Sequence, residues 1–128
     1  MGNELSEELR VFIKQHITSL EELEILLLLH KEPNRSWTIE QVFKVTQSNL
    51  DSVAERLKNL AQFGLLAMEG TAPLIFRFKP GSPELEQRTS ELQQAHALSK
   101  YKVIEAIFSA PQSQAQKFAD SFKIKKEK

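Results

Sequence analysis

Apolar residues recur at helical spacing from the start of the chain. Leu5, Leu9, Phe12, Ile13, His16 and Ile17 fall on one side of a predicted helix, and Glu7, Glu8, Arg10 and Lys14 fall on the other. Ser19-Leu20-Glu21-Glu22 is a capping box, in which a serine and a glutamate three residues on satisfy each other's free backbone donors, and it opens a second helix. That helix carries Leu23, Ile25, Leu26, Leu27, Leu28 and Leu29, apolar on nearly every face, so other elements must surround it. Pro33-Asn34 marks a turn into Ser36-Trp37-Thr38, a segment long enough for one bridge of a sheet, with Trp37 as a core plug.

Thr38-Ile39-Glu40-Gln41 repeats the capping box and predicts a short helix with Ile39, Val42 and Phe43 inward. Ser48-Asn49-Leu50-Asp51 opens the next helix, along which Leu50, Val53, Leu57 and Leu60 form a core-facing stripe until Gly64 stops it. The period then changes. Leu65 to Met68 reads as extended, 69–73 as a turn, and Leu74, Phe76 and Phe78 alternate with Ile75, Arg77 and Lys79, which predicts a hairpin. Ser82 caps a helix with Pro83 at its first position, and the next breaker is Pro111. The stretch from Pro83 to about Ser109 would be roughly 40 Å of helix, with an apolar arc of Leu98, Tyr101, Val103, Ile104, Ile107 and Phe108 too wide for a single packing partner. Beyond Pro111, Ala115, Phe118, Ala119 and Phe122 predict a last short helix before a lysine-rich end.

The fold class expected is mainly α with a small β-hairpin. The chain divides into a flanking helix over 1–18, a domain over 19–81, a long helix over 82–110, and a short helix with a basic tail over 111–128. Its 128 residues suit one core. The 17 basic and 17 acidic residues cancel, which excludes a globally cationic nucleic-acid binder and leaves room for a local basic footprint only. Residues 31–81 hold seven Lys or Arg against five Asp or Glu, a net of +2. With no cysteine there is no disulfide framework, thiol nucleophile or cysteine-ligated metal. His16, His30 and His96 lack a second ligand at helical spacing, and no phosphate loop or nucleophile elbow is present, so no metal, cofactor or catalytic residue is assigned. The longest apolar run, Ile25 to Leu29, is far below the roughly 20 residues a bilayer span needs. No membrane partner is expected, and the cytoplasm is the expected location.

The order helix, short strand, helix, turn, helix, hairpin over 19–81 resembles a winged helix-turn-helix domain with N-terminal and long C-terminal flanking helices. The residues that carry the resemblance are Ser19 to Leu29, Trp37 to Gln41, Ser48 to Leu57 and Leu60-Ala61-Gln62-Phe63-Gly64-Leu65-Leu66. A helix ending in Leu-x-x-x-Gly-Leu-hydrophobic and leading into a hairpin is similar to the recognition helix and wing of bacterial regulators of the MarR and ArsR types. That resemblance implies a transcriptional regulator that binds duplex DNA as a homodimer, with the 48–63 helix in the major groove and the 65–79 wing on the backbone. Gln47, Ser48, Asn49, Ser52, Arg56, Asn59, Arg77 and Lys79 are the DNA contacts it implies, since Asn and Gln suit adenine, Arg suits guanine and the wing cations reach phosphate. Leu5, Leu9, Phe12, Leu92, Leu98, Tyr101, Ile104 and Phe108 are the implied dimer contacts. Five of the DNA contacts have a plainer reading: Arg56 pairing with Asp51 or Ser52 on a solvated face, Asn49 and Ser52 as helix-start residues, Arg77 and Lys79 as edge-strand charges. Asp51 and Glu55 lie on or beside the reading face and would repel DNA. They support the alternative of a winged-helix module that docks a protein and does not bind DNA.

Overall fold

In the computed structural model, which describes residues 5–126 and the side chains of 5–108, each early helix begins where a side chain satisfies a free amide. Ser6 accepts from the Leu9 amide and starts α1 (Glu7–His16), which turns Leu9, Phe12 and Ile13 inward. Ser19 accepts from the Glu22 amide at 3.1 Å and starts α2 (Leu20–Lys31). Only this half of the expected capping box forms. The Glu22 carboxylate passes Ser19 and accepts from the Thr18 amide and hydroxyl, both at 2.8 Å, which ties the α1–α2 connection to a buried acid. Leu23, Ile25, Leu26 and Leu29 of α2 have no exposed surface, so this helix is the hub its pattern predicted.

After β1 (Trp37–Thr38), the capping box at α3 (Ile39–Thr46) is complete: Thr38 accepts from the Gln41 amide at 3.1 Å, and the Gln41 side chain accepts from the Thr38 amide at 3.0 Å. Gln47 adopts the left-handed conformation at φ 55° and turns the chain toward α4 (Leu50–Gln62), whose cap is Asn49, one residue later than Ser48. At the far end Gly64, at φ +88°, lets the Leu65 amide donate to Leu60 and its own amide donate to Ala61, closing α4 with two bonds at 3.0 Å. Leu65 and Leu66 are buried directly after this turn and fix where the hairpin leaves the core.

The hairpin pairs β2 (Leu66–Glu69) with β3 (Ile75–Phe78), and β1 adds to the other edge of β3, giving an antiparallel sheet in the order β1-β3-β2. β1 supplies two paired positions, Trp37↔Phe76 and Thr38↔Ile75, where one bridge was expected. The alternation in β3 holds, with Phe76 and Phe78 buried between the partly exposed Ile75 and Arg77. Trp37 is a buried plug, and the Arg35 guanidinium lies 3.6 Å from its ring centre.

Ser82 accepts from the Leu85 amide and starts α5 (Pro83–Lys126), with Pro83 at the position expected. The anticipated break at Pro111 and the short helix expected after it lie outside the residues described in full. Among the described residues, α5 is non-helical at Ser99, at φ −151° and ψ 69°. The change at Ser99 separates a mostly polar stretch from an apolar one. α1 packs along α5, and Val103 and Ile107 beyond the bend are buried with the rest of the core. Each such side chain contributes roughly 1.5–3 kcal/mol of burial. The whole is mainly helical, five helices and one small sheet among the described residues.

Candidate nucleic-acid interface

α4 sets the candidate site by the way it is rotated in the core. Val53, Leu57 and Leu60 have no exposed surface, which fixes the helix about its axis. Leu50, expected in the same stripe, is 42% exposed in the first turn. The ridge turned fully to solvent is Asp51, Glu55, Lys58 and Gln62. Ser52, Arg56 and Asn59, expected to point outward, lie one step around the helix and are half-buried. At the N-terminal end, Gln47, Ser48 and Asn49 are all exposed. The Asn49 side-chain oxygen is engaged as the cap, accepting from the Ser52 amide at 2.9 Å.

Half-burial of Ser52 and Arg56 has a specific cause. Glu21, in the first turn of α2, reaches across the α2–α4 seam and is held by three donors. The Ser48 hydroxyl donates to Oε2 at 2.6 Å, the Ser52 hydroxyl donates to Oε1, and Arg56 Nε donates to Oε1 at 3.4 Å. Burial alone would push the Glu21 carboxyl up, but the bonds from Ser48, Ser52 and Arg56, together with the charge of Arg56, outweigh it and hold the group below its ordinary value. Arg56 therefore pairs with Glu21, and neither Asp51 nor a free face is its setting. Local periodicity gave no sign of Glu21. The available signal was an acidic residue on a helix otherwise predicted to be surrounded.

Arg77 and Lys79 belong to a different place. They line a shallow hollow with Pro33, Asn34, Phe78, Pro80 and Glu86, beside the loop that follows α2. Glu21 is at the opposite end of that helix, roughly 15 Å of rise from Lys31. Arg77 lies across from Ala67 and is 4.0 Å from the Glu69 carboxylate, and the hairpin tip, Gly70 to Pro73, carries no cation. The eight expected contacts thus divide into two groups. Gln47, Ser48, Asn49 and Ser52 gather at the start of α4, with Arg56 and Asn59 further along it, and Arg77 and Lys79 lie apart.

Of the expected dimer contacts, Leu9, Phe12 and Leu92 are 3%, 3% and 0% exposed within one chain, so the chain's own core accounts for them. Leu5 and Ile104 are partly buried. Leu98, Tyr101 and Phe108 are 76%, 77% and 61% exposed and form the open side of α5. Among the described residues, no group of three or more His, Asp or Glu is arranged to hold a metal ion, and no helix is long and apolar enough to cross a membrane. The chain matches no known protein-family model, no curated protein and no solved structure.

Proposed function

We propose that residues 19–81 form a winged helix-turn-helix domain that binds duplex DNA through the start of α4 and the turn before it. The observation that carries this reading is the exposed run Gln47-Ser48-Asn49, three polar side chains at the leading end of a helix whose rear face is fully buried. The first residues of such a helix are the ones placed to meet base edges. Lys44, exposed three residues before Gln47, supplies charge toward phosphate at this end, and Lys58 adds charge further along the exposed ridge of α4. The open stripe of Leu98, Tyr101 and Phe108 supports a dimer through α5, which would double a weak electrostatic footprint. The test is the anisotropy of a labelled random-sequence duplex titrated with the intact protein at several salt concentrations. Affinity that falls steeply with salt is the expected result.

A second reading, docking of a protein without DNA binding, is favoured by the exposed carboxylates of Asp51 and Glu55 on the outermost ridge of α4. The absence of duplex binding at low salt would favour it over the first.

A further inference from the structure

We infer that Ser48, Ser52 and Arg56 form one phosphate-binding site on α4, and that Glu21 occupies it as an internal competitor that must leave when a phosphate group enters. This deepens the DNA-binding reading and rests on it for the identity of the phosphate, a diester of the duplex backbone. It also changes the role of Arg56 from reading guanine to clamping the backbone.

The donor set carries the inference. Two hydroxyls and a guanidinium from α4 and the turn before it converge on one carboxylate, with each oxygen of Glu21 accepting at least one bond. A phosphodiester presents the same recognition pattern, two charged terminal oxygens that accept from hydroxyl and guanidinium donors. The donors all belong to α4 and the turn before it, whereas the acceptor comes from α2. The acceptor can therefore swing away without disturbing the donors. Glu21 is partly exposed, 17% for its side chain, as is Arg56 at 26%, so the pair opens toward solvent and a ligand has access. Glu22, the next residue, shows the contrasting arrangement: it is fully buried and committed to Thr18. While Glu21 is in place it cancels the charge of Arg56 and adds repulsion toward a polyanion, consistent with a start of α4 that offers polar donors and no free cation of its own.

The experiment compares wild-type protein with Glu21→Gln in two arms. In the first, both bind a labelled random-sequence duplex at low salt. The variant is expected to bind at least about fivefold tighter, with a salt dependence steeper by about one phosphate contact, a slope change of about 0.9. In the second, inorganic pyrophosphate is titrated against each by amide NMR, and Glu21→Gln is expected to show shifts at Ser48, Ser52 and Arg56 at concentrations that leave the wild type unmoved. If the duplex binds wild type and variant equally, and pyrophosphate moves neither, the competitor role of Glu21 is overturned while DNA binding stands. If no duplex binds but pyrophosphate moves those three amides of the variant, the phosphate site stands and the DNA reading falls. Silence in both arms overturns both. Should the variant unfold, the carboxyl carbon resonance of Glu21 in labelled wild-type protein decides. On duplex or pyrophosphate addition it should move to the position of a solvated carboxylate, and a resonance that stays put overturns the inference.

Discussion

Glu21 and Arg56 meet at 3.4 Å although 35 residues separate them in the chain, and this contact joins the first turn of α2 to the middle of α4. Both side chains are mostly but not wholly buried, so the pair holds two helices together while remaining open to competition from outside.

Arg56→Ala should therefore lower stability, by about 1 kcal/mol, because it leaves a carboxylate with fewer donors in a partly desolvated place. Combined with Glu21→Gln, the loss should be less than the sum of the two single losses, with a coupling of about 0.5–1 kcal/mol. Urea denaturation of the four proteins measures this directly. Additive losses would show that the contact is not formed in solution.

Stability should also depend on pH in two separate windows. Burial pushes His30 below its usual value, with Glu86 opposing only in part, and burial also lowers His96, helped by Lys100 and opposed by Glu24. A group whose pKa is lower in the folded chain than in the unfolded one contributes stability that is fully present above the unfolded value and is lost as pH falls through the folded one. The melting temperature should thus fall as pH drops below about 6.5. His30→Phe, which keeps an aromatic ring against Phe78, should reduce that fall. Glu21 follows the same sign at lower pH, losing its contribution as pH falls below the ordinary carboxylate range.

Gly64→Ala should cost about 1–2 kcal/mol, from the left-handed backbone alone. The nearest side-chain atom to an added Cβ is Leu85 Cδ1 at an ordinary 3.5 Å, so no clash adds to the loss. Urea denaturation provides the value, and an unchanged midpoint would mean that the turn closing α4 is not held at this φ.

These sites also show what could be read along the chain. Gly64, the Thr38–Gln41 box, the rear face of α4 and the alternation in β3 are local patterns, each set by residues within a turn or two of one another. Leu50 was misplaced because periodicity assigns a side to a residue but does not reveal how far that side is covered. The bend at Ser99 was missed because serine carries no strong breaker signal. Glu21 lay beyond reach because its partners are 27 to 35 residues away, joined only once α2 and α4 have packed. The same holds for Leu9, Phe12 and Leu92. Their apolar character was evident, but whether the surface covering them belongs to this chain or to another is settled only by the fold.

On α5 the two sides should respond differently to substitution. Ile107→Ala should cost about 2–5 kcal/mol of stability, as expected for a fully buried aliphatic residue. Tyr101→Ser with Phe108→Ser should leave the melting temperature of the isolated fold nearly unchanged and lower the mass found by light scattering from dimer to monomer. A wild-type protein that is already monomeric would remove the dimer from the proposal.

The most direct test of the start of α4 as a DNA-contacting surface is an amide NMR map of the intact protein titrated with random-sequence duplex at low salt. Shifts should cluster at Lys44, Gln47, Ser48, Asn49, Ser52 and Lys58. Shifts confined to α5 around Leu98, Tyr101 and Phe108, or none at all, would contradict it.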